Sequence, residues 1–151
     1  MQFCTFYLDD LFLGIEVHRV QEVLRYQGMT DVPLSSPIIE GLMNLRGQIV
    51  TAIDLRRRLR LPDREKGRKP MNVVVRTDDG VVSLLVDEIG DVLEVEDSSF
   101  EAPPTTLSGV ARQLIRGVHK LEGHLLLLLD VEQTLAFDAT ECEEAVVEAA
   151  P

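Results

Sequence analysis

The chain has 151 residues, of which 45% are hydrophobic and 27% charged, and its formal net charge is −11 at pH 7. This composition predicts one compact globular unit, and the negative charge argues against general affinity for nucleic acid. The longest apolar run, Leu125 to Leu129, is far shorter than the roughly 20 residues of a membrane-spanning helix, and no secretory signal opens the chain. We therefore expect a cytoplasmic protein without direct membrane insertion.

The first segment predicts a hairpin followed by a short helix. Gln2 to Leu8 and Leu11 to Val17 are rich in β-favouring residues, and the turn-forming pair Asp9-Asp10 separates them. Three apolar residues at helical spacing then predict a single helical turn: Val20, Val23 and Leu24.

The next segment predicts a second hairpin and a capped helix. The strands Gly41 to Leu45 and Ile49 to Ile53 flank Arg46-Gly47-Gln48, where Gly47 supplies the positive φ of a tight turn. Asp54 is placed to cap a short helix. On that helix Leu55 and Leu59 form an inward stripe, which leaves four arginines toward solvent: Arg56, Arg57, Arg58 and Arg60.

The second half repeats this order. Met71 to Thr77 and Val81 to Val86 flank Asp78-Asp79-Gly80, and Leu114 to Leu121 and His124 to Leu129 flank Glu122-Gly123. Asp130 stands where a helix cap would stand, as Asp54 does. Residues 138–151 contain five acidic and no basic residues, which predicts a flexible acidic tail.

One segment occurs twice. Ile39 to Leu55 matches Ile115 to Val131 with an identical Ile, Gly, Leu, Gly and Asp, whereas Arg46 is matched by Glu122 and Asn44 by Lys120. This duplication predicts two repeats, about 1–69 and 70–137, within a single domain of residues 1–137. Many short strands with tight turns predict two small β-barrels side by side, with a crevice between them as the natural binding site. The sequence leaves open which barrel the terminal strands join.

The sequence predicts no enzyme, metal or cofactor. Cys4 and Cys142 lie far apart in sequence and have no neighbouring base. His119 and His124 flank a hairpin turn, where exposed turn residues are a better interpretation than zinc ligands because nothing completes the coordination.

The segment from Arg56 to Lys69 holds 8 of the 15 basic residues. It supports an alternative function, a small-barrel module that binds anions or nucleic acid. The segment lacks aromatic residues that could stack on bases, so a solvated helix face and linker is the simpler interpretation.

The surface offers better candidates for binding a partner protein. Arg46, beside the turn glycine, can present a planar fork of donors or pair with Glu22 or Glu40, and the two roles are compatible. Val20 and Val23 correspond to Ile89 and Val92 in the second half. We expect one residue of each pair to contribute to an exposed apolar strip on the helical turns.

The run from Gly41 to Leu55, which contains Asn44-Leu45-Arg46-Gly47, resembles the signature of the CheW family of bacterial chemotaxis coupling proteins. The segments Val20 to Val23 and Leu85 to Leu93 resemble two further family segments in the same order. The resemblance covers about residues 2–137. The family usually has proline where this chain has Thr51, inside a predicted strand.

The resemblance implies a mostly β fold of two SH3-like five-stranded barrels packed side by side, with short helices only. It also implies a non-catalytic scaffold that joins the cytoplasmic tip of a chemoreceptor to the regulatory domain of the histidine kinase CheA, with other CheW-like domains as further partners in array rings at the membrane. The family positions for the receptor groove fall on seven residues: Val20, Glu22, Gly41, Asn44, Arg46, Ile89 and Val92. No kinase-binding residues follow from it.

Overall fold

The computed structural model describes residues 1–32, 36–65, 67–104 and 109–136. The predicted acidic tail at 138–151, with Cys142, lies outside the described residues. Within the described ranges no helix is long and apolar enough to cross a membrane.

The described chain is built mostly from strands. They are β1 (Gln2–Leu8), β2 (Leu11–Glu16), β3 (Val20–Leu24), β4 (Ile39–Leu45), β5 (Gln48–Asp54), β6 (Met71–Thr77), β7 (Gly80–Val86), β8 (Glu88–Glu94), β9 (Phe100–Glu101), β10 (Ile115–Leu121) and β11 (His124–Leu129). The α-helices are single turns or little more: α1 (Leu55–Arg58), α2 (Gly109–Leu114) and α3 (Val131–Leu135). The predicted caps are confirmed, since the side chain of Asp54 accepts from the Arg56 amide and that of Asp130 from the Gln133 amide.

The helical turn predicted at Val20, Val23 and Leu24 is wrong. A 3₁₀ turn occupies Val17–Arg19, and the three residues lie in strand β3, which pairs with β6. Their counterparts Ile89 and Val92 lie in strand β8, which pairs with β1. The spacing fits a helix, but β-branched residues favour a strand when a neighbouring strand pairs with their backbone N–H and C=O groups.

The strands form two sheets, which confirms the predicted fold class. One has five strands in the order β3-β6-β7-β5-β4, and the other has six in the order β8-β1-β2-β11-β10-β9, the sixth being the two-residue β9. The repeats exchange their first hairpins. The β1–β2 hairpin joins the second-half strands through parallel pairing of β2 with β11, and the β6–β7 hairpin joins the first-half strands through parallel pairing of β7 with β5.

The duplicated segment folds the same way twice, as a hairpin followed by a short helix. Even the irregularity is shared, because the register shifts between Ile39 and Gly41 in one copy and between Ile115 and Gly117 in the other. Each of these glycines lies under a crossing chain. A Cβ on Gly41 would lie 2.8 Å from the Thr30 carbonyl oxygen, and one on Gly117 would clash with the Phe100 ring and lie 2.9 Å from the Glu101 carbonyl oxygen. The shared glycine therefore makes room for the crossing chain, which is backbone at Gly41 and an aromatic ring as well as backbone at Gly117.

We expect Gly41→Ala to lower the free energy of unfolding by about 1–3 kcal/mol, because the added methyl group displaces the Thr30 backbone. Denaturant unfolding measures this change. Gly28→Ala is the matched control, since no atom lies within 4 Å of its added Cβ, and it should change stability by less than about 0.5 kcal/mol. Equal effects of the two substitutions would contradict the explanation.

The largest hydrophobic cluster lies between the sheets. Phe6, Leu13 and Leu127 of the six-stranded sheet pack there with Val73 and Leu84 of the five-stranded sheet. Each sheet also has a smaller hydrophobic cluster of its own. The six-stranded sheet has one around Phe3 and Leu126, and the five-stranded sheet has one around Met43 and Val50. Each sheet therefore covers apolar surface of the other.

Two arginines of the predicted solvent-facing set are buried instead. Arg56 donates Nε and Nη2 to the Asp87 carboxylate at 2.8 and 2.6 Å. Asp87 lies where the chain passes from β7 in one sheet to β8 in the other, and its Oδ2 also accepts from the Asp9 amide at 2.8 Å. The pair therefore ties α1 to the crossover between the sheets.

The second buried arginine, Arg58, reaches the short helix that follows the second copy of the duplicated segment. It donates to the carbonyl oxygens of Thr134 at 2.7 Å and of Gln133 at 2.9 Å, at the end of α3. A charged side chain is tolerated in the protein interior when carboxylates or carbonyl oxygens accept its hydrogen bonds. A sequence pattern does not show whether such acceptors are present. Arg57 and Arg60 are exposed as predicted.

Candidate functional site

The turn between β4 and β5 has an unusual backbone. Leu45 pairs with Gln48, so Arg46 and Gly47 are its two central residues, and both have positive φ, 53° and 86°. This is the geometry of a tight two-residue hairpin. The positive φ predicted for Gly47 is confirmed, and Arg46 has a positive φ as well. The side-chain oxygen of Asn44 accepts from the Gly47 amide at 2.8 Å and holds the turn. A left-handed arginine is uncommon, and here the two-residue turn requires this conformation at both of its central positions.

A bidentate ion pair fixes the Arg46 side chain. Its Nη1 and Nη2 donate to the two carboxylate oxygens of Glu22 at 2.6 and 2.9 Å. Glu22, rather than Glu40, is the partner, since Glu40 lies 3.4 Å from Arg57. The pair joins β3 to the β4–β5 turn, at the two outer strands of the five-stranded sheet, so this sheet curls round until its ends meet.

The Arg46 guanidinium is also available to a partner. Its side chain is 70% exposed, whereas that of Glu22 is only 19% exposed. An arginine has five N–H donors, and the two bonds to Glu22 leave three of them without an acceptor in the described part of the chain. The arrangement can therefore bind a second carboxylate or a carbonyl while Glu22 holds the fork in place.

The hydrogen bonds from Arg46 hold the pKa of Glu22 below its ordinary value. Because the lowered pKa belongs to the folded state, the pair is intact at neutral pH and is lost only as the pH falls through that lowered value. We expect Arg46→Gln to raise the Glu22 pKa back toward its ordinary value, measured by carboxyl ¹³C NMR titration. An unchanged Glu22 titration in this variant would rule out the pairing in solution.

The apolar residues of the predicted site and of the predicted apolar strip divide by burial. Val20 and Ile89 are half-buried against the cluster between the sheets, and they approach it from different sheets. Val23 and Val92 are 44% and 56% exposed. Gly41 is buried beneath Thr30, so its contribution is to position β4. The structure thus brings Glu22, Asn44 and Arg46 together at one turn and leaves Val92 on the edge strand of the other sheet.

One residue near the turn was missed by the sequence prediction. Ile49 is directly opposite Asn44 in the β4–β5 pairing and is 62% exposed. Its neighbour Val50 is fully buried. The alternation of a strand between two faces could have identified Ile49 as an exposed apolar residue beside Arg46.

The histidines do not form a metal site. His119 is buried, contrary to the prediction of an exposed turn residue, and its Nδ1 lies 2.7 Å from the Ser99 hydroxyl. Burial lowers the pKa of His119, so the ring is neutral at neutral pH. His124 is exposed and its ring contacts Phe12 instead. Among the described residues no three His, Cys, Asp or Glu side chains are placed to hold a metal ion.

Most arginines of the basic segment form hydrogen bonds or ion pairs with other residues of this chain. Arg56 and Arg58 are buried as described, and Arg64 lies 3.4 Å from both Asp54 and Asp87. Arg57 lies within 3.6 Å of Asp54 and Asp63. These contacts neutralise much of the local positive charge, so an anion-binding module is not favoured.

Comparisons with known proteins all lead to one family. Residues 2–138 match the model of the CheW-like domain family. The chemotaxis protein CheW of Bacillus subtilis is 33% identical over 128 residues, which cover 85% of this chain and 82% of the relative. The chemotaxis protein CheW of Treponema pallidum is 27% identical over 136 residues, covering 87% and 80%. The crystal structure of the scaffolding protein TtCheW from Thermoanaerobacter tengcongensis has the same fold, with a TM-score of 0.81 at 23% identity over 91% of this chain and 93% of that one.

Proposed function

The chain belongs to the CheW-like domain family, and on that premise we propose that it is a non-catalytic scaffold that couples chemoreceptors to the histidine kinase CheA in chemotaxis signal transduction. The observation that carries the proposal is the family match over residues 2–138, together with relatives named chemotaxis protein CheW. The proposed scaffold is a single functional domain that ends at about residue 137.

The receptor tip is proposed to bind where the two sheets meet. Arg46 and Asn44 would supply polar contacts, with Glu22 orienting Arg46 through the bidentate bonds. Val92 would supply an exposed apolar contact, while Val20 and Ile89 form the half-buried base and Gly41 positions β4. A central apolar contact surrounded by polar groups is the usual anatomy of a protein interface.

The scaffold would act by binding two proteins at once. Holding the kinase regulatory domain beside the receptor raises the effective concentration of kinase there. A scaffold that binds one kinase conformation better than another also shifts the kinase population toward that conformation. The protein would accordingly be recruited to membrane-associated receptor arrays, where other CheW-like domains are further partners.

A reconstituted assay tests the proposal. Receptor-containing vesicles and CheA are mixed with and without this chain, and kinase autophosphorylation is measured. We expect activation only when the receptor, the kinase and this chain are all present. Equal kinase activity without the chain would contradict the scaffold function.

A further inference from the structure

A histidine is buried beneath a short strap at one edge of the six-stranded sheet. The strap consists of a 3₁₀ turn, Asp97–Ser99, and the two-residue strand β9, which pairs with β10 at the outer end of the sheet. One of the two paired positions joins Phe100 to His119. We call residues 97–101 the edge strap. Because so short a pairing is marginal alone, side-chain contacts are needed to hold the strap in place.

The imidazole of His119 supplies such contacts, and the residue is only 3% exposed. Its Nδ1 lies 2.7 Å from the hydroxyl oxygen of Ser99 on the strap. The ring centroid lies 5.6 Å from that of Phe100, also on the strap, and the two rings meet edge to face. The centroid of the Phe3 ring on β1 is 5.6 Å away as well. His119 therefore joins the edge strap to the interior of the sheet.

The backbone of β10 also has room for the strap. A Cβ on Gly117 would clash with the Phe100 ring, so the absence of a side chain there lets the ring lie against β10. An ion pair between Glu101 and Lys120, at 3.4 Å, also joins the strap to β10, but both side chains are well exposed and the pair contributes little. The contacts around the imidazole are therefore the main side-chain contacts that hold the edge strap.

The hydrogen bonds around His119 suit a neutral ring and not a charged one. A protonated imidazole donates from both nitrogens. Ser99 can accept from Nδ1, because its own hydroxyl proton is donated to the Glu96 carbonyl oxygen at 2.8 Å. Nε2 has no acceptor within the part of the chain that the structure describes. The second N–H of a charged ring would therefore be left without a partner beneath the strap.

The charges around the ring do not reverse this preference. Burial lowers the pKa of His119, Asp97 on the strap opposes that effect, the amino-terminal ammonium of Met1 adds to it, and the net result is a lowered pKa. The strands β1 and β11 contribute apolar side chains at this position. The charged residues that follow Phe100 and His119 pair with each other, Glu101 with Lys120. The closed strap therefore holds a neutral imidazole.

From this geometry we propose that His119 is a pH-sensitive latch, which holds the edge strap on β10 while the ring is neutral and releases it when the ring is protonated. Release gives the charged ring access to water and leaves the edge of β10 unpaired. An exposed imidazole has a pKa of about 6.5, and the closed strap lowers it. The latch therefore contributes fully above about pH 6.5 and is lost as the pH falls toward the lowered closed-state value. It does not rest on the proposed coupling function.

Hydrogen exchange of the full chain, followed by NMR, tests the latch. The amide protection factors at the β9–β10 pairing give the ratio of open to closed strap, with the β1–β2 amides as the reference. Between about pH 7.5 and 5 we expect this ratio to rise as the pH falls, by up to tenfold per pH unit below about pH 6.5, because opening takes up one proton. His119→Gln cannot be charged, and its ratio should not change with pH. The ring NMR signals of His119 report its pKa in the same samples.

His124→Gln is the matched control, because His124 is exposed on β11, and it should keep the pH dependence of the natural chain. Ser99→Ala removes one contact without changing charge and should raise the open-to-closed ratio about three- to tenfold at neutral pH. Three results would overturn the proposal: a ratio in the natural chain that is independent of pH, an equal rise in His119→Gln, or a His119 pKa of about 6.5 or higher. If His119→Gln opens the strap at neutral pH, the first and third results still decide.

Discussion

Replacing Asp87 with alanine is expected to lower the free energy of unfolding by about 3–5 kcal/mol. The side chain of Asp87 is 3% exposed and that of Arg56 is 8% exposed, so the substitution leaves a buried guanidinium without its hydrogen-bonded carboxylate, and the nearest remaining one, on Asp9, is 3.8 Å away. It also removes the acceptor of the Asp9 amide. Because Asp87 lies at the passage between the sheets, the loss should appear as one cooperative transition in denaturant unfolding followed by circular dichroism.

Glu88→Ala is the matched control for this prediction. Glu88 is adjacent to Asp87 and also pairs with an arginine, Arg68. In this pair, however, both side chains are well exposed. Exposed pairs contribute little to stability, and we expect a change below about 1 kcal/mol. An Asp87→Ala variant as stable as Glu88→Ala would show that the buried pair does not hold the sheets together.

The pH dependence gives the same pair a second signature. Burial alone would raise the pKa of Asp87, but hydrogen bonds from Arg56 and the Asp9 amide, with the charge of Arg64, hold it below its ordinary value. The contribution of Asp87 is therefore fully present above about pH 5 and is lost as the pH falls through the lowered folded-state pKa. The stability difference between the natural chain and Asp87→Asn should shrink below about pH 4.

Arg46→Glu is expected to reduce receptor-dependent kinase activation about tenfold or more in the reconstituted assay. The substitution removes the exposed guanidinium and places a second carboxylate against Glu22 in the position that the bidentate bonds now occupy. The fold should survive, because the side chain is 70% exposed and surface changes of this kind cost little stability. Kinase activation is measured over a range of scaffold concentrations, with thermal unfolding recorded in parallel.

Two further variants separate a binding role of Arg46 from a merely structural one. Arg68→Glu, an exposed charge reversal beside Glu88, should keep full activation. The double exchange Glu22→Arg with Arg46→Glu restores an ion pair with its polarity reversed, and we expect it to remain defective because the guanidinium no longer lies on the turn. Full activation by the Arg46→Glu single variant would contradict the assignment of this residue to the receptor site.

Local patterns predicted much of the fold. Alternating β-favouring residues and turn-forming pairs predicted the hairpins β1–β2, β4–β5, β6–β7 and β10–β11, and the helix caps at Asp54 and Asp130 followed from their place after a strand. The strands β3 and β8 were predicted as helical turns, because segments of five and seven residues contain too little periodicity to separate the two structures. Only pairing with β6 and β1 decides between them.

Part of the candidate site was predictable because it is formed by residues close together in sequence. Asn44, Arg46 and Gly47 belong to one hairpin, so their proximity is local, and the ion pair of Arg46 was reduced to two candidates before the structure selected Glu22. The burial of Gly41 depends on the chain that crosses its strand at Thr30. Such crossings are contacts between distant segments, and residue spacing alone does not reveal them.

By itself the sequence determined the duplicated hairpin and helix, with its shared glycines and aspartates, because turns and caps depend on residues a few positions apart. The tertiary structure decided which hairpin joins which sheet, through the parallel pairing of β2 with β11 and of β5 with β7. It also decided that Arg56 and Arg58 are buried. Both outcomes depend on long-range pairing and on the removal of water from charged groups that meet only after the two sheets pack.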